Sequence, residues 1–233
     1  MSTNEKACLI TIDAIPDCED YYAAEYRKDF DKNMRERVLK KTAIATWLEK
    51  YQRYGFTEEQ VKDEINRSSM FACEFIKDPM QQSCYERYCR EYITKYSPAV
   101  CEKLVSTKSK NALYVYEGKL YSYPELPEIA RTLVKSIDFK ITYNGYTIYA
   151  SHKHTRKDGG NQNNQWHDLI SFGQHARLST DSKVIFIALA DGEYYTRTKK
   201  KSKTKMELLN ELANDHFMAM TTTEFCRWIY TLQ

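Results

Sequence analysis

The strongest constraint on this chain is the dipeptide Asn144-Gly145, which separates two runs rich in β-branched and aromatic residues. A two-residue type I′ turn needs positive φ at both central positions, and Asn-Gly is the pair most suited to it. The sequence therefore predicts a β-hairpin. Its turn sets the register, which places Phe139 opposite Ala150.

Side chains alternate between the two faces of a strand, so the hairpin has an apolar face and a polar face. The polar face places Asp138 and Lys153 diagonally across the paired strands, within reach of each other. A carboxylate and a lysine on rigid strands can bind a hydrated divalent cation and orient a water molecule. A solvated face with one cross-strand ion pair is the structural alternative.

The sequence also predicts a strand–helix–strand unit, whose first strand is the second strand of the hairpin. A polar segment containing Gly159-Gly160 and several amides follows Lys153, and apolar residues then recur at helical spacing. Residues 184–190 form a continuous apolar run, typical of a strand buried on both faces, which ends at Asp191-Gly192. We expect this strand to lie parallel to the second hairpin strand.

The order of these elements resembles the core of the PD-(D/E)XK nucleases, and most closely the type II restriction endonucleases. Ile137-Asp138 stands in the place of "PD", and Ser151-His152-Lys153 stands in the place of "(D/E)XK". The resemblance covers residues 125–215. It implies an α/β fold with a mixed-sheet nuclease-like core, here joined to a helical N-terminal region.

The resemblance also implies an activity: Mg²⁺-dependent, site-specific cleavage of double-stranded DNA in a restriction-modification defence system. A homodimer acting on a palindromic site is expected, because two-fold protein symmetry mirrors two-fold DNA symmetry. Asp138 would ligate the metal, together with the main-chain carbonyl of His152. Lys153 would orient or help deprotonate the attacking water and stabilise charge in the transition state.

Ser151 departs from the family pattern, which has Asp or Glu at this position. A serine hydroxyl is a poor metal ligand and would at most hold a metal-bound water. We therefore expect a second catalytic and metal-binding carboxylate from Glu128, in the first turn of a helix predicted over residues 127–135. Asp168, on the following helix, is the reserve candidate.

Basic and amide side chains around this core are the candidate DNA contacts. Cations in a Ser/Thr background suit phosphates, and Asn and Gln can hydrogen-bond base edges. Phosphate contacts are expected from Arg156, Lys157, Lys199, Lys200 and Lys201. Base or phosphate contacts are expected from Asn161, Gln162, Asn163, Asn164 and Gln165. A solvated surface loop is the alternative for both sets.

Upstream of the core, the chain is charged and has helical patterns, including segments 57–72 and 82–95. A polar link at 103–111 suggests a boundary between a mainly helical region, 1–106, and the nuclease-like core, 107–233. The net charge of +3 permits nucleic-acid binding without arguing for it.

The cysteine pattern and the N-terminus bear on the cellular setting. The chain has seven cysteines, and those from Cys73 to Cys101 contain one closely spaced pair, Cys84 and Cys89, without a second such pair, so buried reduced thiols are favoured over zinc. The chain shows no signal-peptide pattern and no apolar run of membrane-helix length. We expect an intracellular, cytoplasmic protein without a membrane partner.

Two other functions remain open from the sequence. A non-catalytic DNA-binding module on the same fold would explain Ser151. A protein-interaction domain would need only a solvated polar face. An HNH-type metal site built on the histidines is disfavoured, because His152 is predicted to point to the apolar face.

Overall fold

The computed structural model describes residues 12–29, 38–39, 43–75, 78–105, 109–156, 160–198 and 202–232. Its internal contacts divide the chain into two compact units, Asp20–Tyr85 and the combination of Met1–Glu19 with Glu86–Gln233. This division differs from the predicted boundary at 106/107. A strand at Val100–Lys103 lies before that boundary and pairs into the main sheet of the larger unit.

The larger unit is built on a five-stranded mixed sheet with the order β1-β4-β5-β6-β7. The strands of the chain are β1 Val100–Lys103, β2 Leu113–Tyr116, β3 Lys119–Ser122, β4 Phe139–Tyr143, β5 Tyr146–His154, β6 Val184–Asp191 and β7 Phe217–Met220. Antiparallel pairing joins β1 to β4 and β4 to β5, whereas β5–β6 and β6–β7 are parallel. The remaining two strands, β2 and β3, form a separate hairpin.

The predicted hairpin is confirmed in its turn and its register. Asn144 and Gly145 have φ values of 46° and 80°. Phe139 pairs with Ala150, and the parallel partner of β5 is the apolar strand β6, as predicted. A mixed-sheet α/β class is therefore confirmed.

The described helices are α1 Cys18–Asp29, α2 Ala43–Lys50, α3 Glu58–Arg67, α4 Ser69–Cys73, α5 Asp78–Tyr96, α6 Gly160–Ala176, α7 Glu193–Thr196, α8 Lys205–Asn210 and α9 Thr222–Trp228. Capping boxes at Thr57, Thr204 and Thr221 begin α3, α8 and α9, because each threonine and the side chain three residues on satisfy otherwise unpaired N–H groups. None of the described helices is both long enough and apolar enough to cross a bilayer.

The prediction of an α-helix over residues 127–135 is wrong. Only a 3-10 turn, Glu128–Thr132, forms there. The chain then runs extended, and the Ile137 N–H donates to the Leu113 carbonyl at 2.8 Å, which ties this segment to β2. The segment between this 3-10 helix and β4 is therefore not helical.

Helix α6 covers the sheet face that carries Tyr149 and Lys153. Leu169 and Phe172 of α6 join the apolar cluster that includes Phe186 of β6, and Tyr149 packs against it. The polar face of the hairpin is therefore partly buried under α6, whereas the sequence alone suggested a solvated surface.

Gly192 directly follows β6 and allows the end of this strand to pack closely against the end of β5. Its φ is 99°, and a Cβ at this position would overlap the main-chain carbonyl of Thr155. The Thr155 N–H donates to the Asp191 carbonyl at 2.9 Å, and the Tyr194 N–H donates to the Thr155 carbonyl at 3.2 Å. Only glycine allows this close approach of the two chain segments.

Candidate active site

Asp138 and Lys153 lie beside each other at the edge of the partly covered sheet face. The Lys153 Nζ is 3.5 Å from Asp138 Oδ2, and their side chains are only 12% and 14% exposed. The same carboxylate oxygen accepts the His152 main-chain N–H at 2.8 Å and the Ser151 hydroxyl at 3.4 Å. The carboxylate is therefore held by a main-chain donor, a hydroxyl and a cation at once.

The backbone of Asp138 is held equally firmly, because it lies between two strands. Its N–H donates to the Ala150 carbonyl at 3.0 Å, and its carbonyl accepts the Leu104 N–H at 2.9 Å. Although Asp138 precedes β4, these bonds extend the strand pairing by one residue. The side chain thus projects from a rigid position, as a reacting site requires.

Lys153 sits among three carboxylates from different parts of the chain. Burial by itself would lower the pKa of Lys153, but the negative charges of Asp138, Glu86 and Asp168 outweigh it and raise the pKa above its ordinary value. Glu86, on α5, also forms an ion pair with Lys103 at 2.7 Å. The lysine therefore remains a cation at neutral pH.

Asp168, the reserve candidate, belongs to this group of charges. Burial raises the pKa of Asp168, the cations Lys153 and Lys135 oppose that rise, and the nearby charge of Asp138 adds to it. A carboxyl with a raised pKa beside a second carboxylate and a lysine is typical of functional sites, though structural ion pairs can produce the same pattern.

Glu128, the first choice from the sequence, is not brought into this group. It is exposed in the 3-10 turn Glu128–Thr132, and among the described contacts none joins it to Asp138 or Lys153. Glu86 takes part instead, and it was not predicted from the sequence. It lies far upstream in a helix of mixed charges, where no pattern distinguishes it from a solvated glutamate.

The carboxylates around Lys153 suit a Mg²⁺ ion that keeps several water ligands better than a metal ion bound entirely by protein ligands. Carboxylate oxygens are the ligands that Mg²⁺ prefers, and it is usually bound through one or two of them with several waters retained. Within the described residues, the carboxylates around Lys153 do not bring three ligand atoms within 4.8 Å of one another. Asp138 with Asp168 or Glu86 would therefore supply one or two ligands.

The amides predicted to face DNA lie in the first turns of α6, which begins at Gly160. Asn163 Oδ1 accepts the Tyr194 hydroxyl at 3.1 Å, and Gln165 Oε1 accepts the Thr155 hydroxyl at 2.5 Å. These two amides thus help to anchor the helix. Asn164 is exposed, while the side chains of Asn161 and Gln162 lie outside the described part of the structure.

The basic residues predicted to contact phosphates also differ in whether the structure describes them. Arg156 is exposed, with its Nε 3.9 Å from Glu19 Oε2. Lys157 and Lys199 to Lys201 lie outside the described residues. Just beyond them, the Lys203 Nζ contacts Glu211 at 2.5 Å, and the Lys205 Nζ lies 4.4 Å from the centre of the Trp166 ring. These last two lysines contribute to local packing.

His152 points to the opposite face of the sheet, as its place between Ser151 and Lys153 predicts. There its Nε2 lies 3.0 Å from Asp191 Oδ2, and Asp191 also accepts the Thr222 N–H at 2.8 Å and the Thr222 hydroxyl at 2.6 Å. Burial would raise the pKa of Asp191, but these donors outweigh it and hold the pKa at about 2.

Comparison with known proteins adds no relative. No protein-family model, no curated protein and no solved structure matches this chain. The resemblance to PD-(D/E)XK nucleases therefore stays a prediction.

Proposed function

We propose that this protein is a Mg²⁺-dependent endonuclease that hydrolyses phosphodiester bonds of double-stranded DNA, with Asp138 and Lys153 at its active site. The observation that carries the proposal is their 3.5 Å contact on neighbouring strands, with the carboxylate fixed by the His152 N–H. A solvated ion pair would not need a main-chain donor aimed at the carboxylate, nor two side chains that are mostly buried.

The strand arrangement supports the same proposal. Asp138 lies directly before β4 and Lys153 lies on its antiparallel partner β5, and the helix α6 then connects β5 to the parallel strand β6. This is the order of elements that the family resemblance implies. The lysine side of β5 faces α6, so Asp168 on that helix can share the site with the two strand residues.

Asp138 and either Asp168 or Glu86 would hold the Mg²⁺. When bound, the ion would supply Lewis-acid polarisation of the phosphoryl oxygens. Asp138 Oδ2 already accepts three donors, whereas within the described structure Oδ1 accepts none, so Oδ1 is the oxygen left for the cation. Ser151 would act by holding Asp138 in place, since its hydroxyl donates to Oδ2.

Lys153 would act as a fixed positive charge. Because neighbouring carboxylates raise its pKa, it donates hydrogen bonds at neutral pH and does not accept a proton. Its ammonium would orient the attacking water and stabilise the negative charge that builds up on the phosphate oxygens. Removal of one preorganised donor of this kind typically slows the catalysed reaction by about 10²–10³-fold.

The test is cleavage of a long DNA of known sequence by purified protein, with Mg²⁺ in one set of reactions and EDTA in the other. A ladder of discrete fragments that appears only with Mg²⁺ supports a site-specific endonuclease. Sequencing the ends would give the recognition site, and two-fold symmetric ends would support a homodimer. If several unrelated genomic DNAs stay intact with Mg²⁺, the proposal fails.

A non-catalytic DNA-binding module is the second candidate, and one observation favours it. Ser151 replaces the family carboxylate, is buried, and bonds to Asp138, so this position offers no metal ligand. Binding of duplex DNA at low salt without cleavage in Mg²⁺ would support this candidate. Failure to bind DNA at all would favour the protein-interaction domain.

A further inference from the structure

A second group of metal-binding side chains lies on the face of the sheet opposite Lys153. Cys89, His152 and Asp191 are buried, and one ligand atom from each lies within 4.8 Å of the other two. They come from α5, β5 and β6, so their positions in the sequence form no recognisable spacing. This explains why the cysteine pattern did not indicate zinc.

A second thiol lies beside this group, against the other oxygen of the Asp191 carboxylate. The Cys18 Sγ lies 3.4 Å from Asp191 Oδ1, on the side of the carboxylate away from the oxygen that His152 contacts. Cys18 is 2% exposed and Cys89 is fully buried. Cys18 lies outside the group of three as the structure stands, and its side chain would have to turn to become a fourth ligand, while the Cys89 Sγ contacts the Thr222 hydroxyl at 3.4 Å.

We propose that Cys89, His152 and Asp191, with Cys18 as the fourth ligand, bind a structural Zn²⁺ ion. Thiolate, imidazole and carboxylate are the ligands of tetrahedral zinc sites, whereas Mg²⁺ avoids sulfur. Zinc–ligand bonds of about 2.0–2.3 Å place neighbouring ligand atoms about 3.3–3.8 Å apart in a tetrahedron. The spacings of 3.0 Å and 3.4 Å run to different oxygens of Asp191, from His152 to Oδ2 and from Cys18 to Oδ1, so both thiols would have to move toward one carboxylate oxygen to complete a tetrahedron.

The charges around this position also suit a cation. Asp191 is buried, and the two Thr222 donors orient its carboxylate. Zinc binding would release one thiol proton each from Cys18 and Cys89 to solvent, and the cation would balance the resulting negative charge. The competing arrangement is a metal-free network in which Asp191 satisfies the first N–H of α9 and pairs with His152.

The experiment measures metal directly and needs no DNA, so its result is independent of the proposed nuclease activity. The full chain is purified without chelators, and its zinc content is measured by mass spectrometry. The zinc is then replaced with Co²⁺, whose absorption reports thiolate ligands by a charge-transfer band and tetrahedral geometry by intense visible bands. We expect about one zinc per chain and both cobalt signatures.

Variants identify the ligands. Cys89→Ser and Cys18→Ser should each weaken zinc binding at least 10-fold and reduce the cobalt charge-transfer band. Cys84→Ser is the matched control, because Cys84 is also a buried thiol of α5 but is not among these ligands. It should keep the zinc content and the spectrum of the wild type.

Two results would overturn the proposal. The first is wild-type protein that holds no zinc after reloading and shows no thiolate–cobalt band, which would leave the hydrogen-bonded network as the arrangement. The second is a folded Cys89→Ser variant that binds zinc as tightly as Cys84→Ser. If Cys89→Ser does not fold, the wild-type cobalt spectrum decides alone.

Discussion

The main-chain N–H of His152 donates to Asp138 Oδ2 at 2.8 Å, while the His152 imidazole lies 3.0 Å from Asp191 Oδ2 on the other side of the sheet. One residue of β5 therefore holds a carboxylate of the proposed active site with its backbone and joins the buried Cys89–Asp191 group with its side chain. The proposed zinc position would thereby steady the strand that presents Lys153.

Loss of Lys153 should abolish most of the proposed cleavage. Lys153→Met keeps the apolar stem but removes the charge, so the rate should fall about 100-fold or more. The three nearby carboxylates would lose their shared cation, and the free energy of unfolding should fall by about 1–3 kcal/mol. Single-turnover cleavage and urea unfolding measure the two effects, with the exposed Lys119→Met as control. Full activity in Lys153→Met would remove this residue from the site.

Substitution of the acidic residues should identify the second carboxylate. Asp138→Asn should remove cleavage, and Asp168→Asn or Glu86→Gln should match it if that residue holds the metal. Glu128→Gln should behave like wild type, because Glu128 is exposed outside the group around Lys153. Cleavage rates measured across a Mg²⁺ titration separate weaker metal binding from a slower reaction. An inactive Glu128→Gln with active Asp168 and Glu86 variants would restore the prediction from the sequence.

Asp168 should also make stability depend on pH. Its pKa is raised in the folded protein, so the folded state binds this proton more tightly than the unfolded chain, where the pKa is about 3.9. The stability of the wild type relative to Asp168→Asn should therefore fall as pH rises from about 3.9 through the raised value, and then level off. Urea unfolding from pH 3 to pH 8, with the exposed Asp215→Asn as reference, would show it. A stability of the wild type relative to Asp168→Asn that rises or stays constant over this pH range would contradict this assignment.

The elements that the sequence predicted correctly depend on local chemistry. The Asn144-Gly145 turn needs positive φ, and once it forms, the register alone places Asp138 next to Lys153 and His152 on the opposite face. The buried strand β6 was recognisable because a continuous apolar run can be satisfied only between two covered faces.

The features that the sequence did not predict depend on long-range packing. Glu86 reaches the site because α5 lies beside β1, which no local pattern encodes. Glu128 is not brought to the group around Lys153, because the hydrogen bond between Ile137 and Leu113 ties the segment that follows it to β2. Tyr149 alternates with polar residues and so suggested a solvated face, although α6 packs on it.

Gly192 and Gly145 form a matched pair for testing how β5 and β6 are joined. Both have positive φ, but a Cβ at Gly145 meets open space, whereas one at Gly192 overlaps Thr155. Gly145→Ala should cost about 1–2 kcal/mol from the left-handed backbone alone. Gly192→Ala combines a backbone region almost restricted to glycine with overpacking, and should cost more than about 3 kcal/mol. Equal losses in urea unfolding would show that the contact with Thr155 is not the deciding constraint.

The basic segment and the amides of α6 should affect DNA binding in different ways. Replacing Lys199, Lys200 and Lys201 with alanine should weaken binding to all sequences and reduce the slope of log K against log salt by about 0.9 for each lost phosphate contact. Lys205→Ala serves as control: this lysine stacks on Trp166, so its loss should lower stability while leaving the salt slope unchanged.

Amide variants should instead alter sequence discrimination. Asn164→Ala or Gln162→Ala should reduce the preference for cognate over scrambled duplex by about 1–3 kcal/mol per lost bidentate contact, without changing the salt slope. Gln165→Ala should mainly lower stability, because its carbonyl oxygen accepts the Thr155 hydroxyl. One salt titration on both duplexes distinguishes these effects. Loss of discrimination in the lysine variant, together with a changed salt slope in the amide variants, would reverse the roles assigned to the two groups.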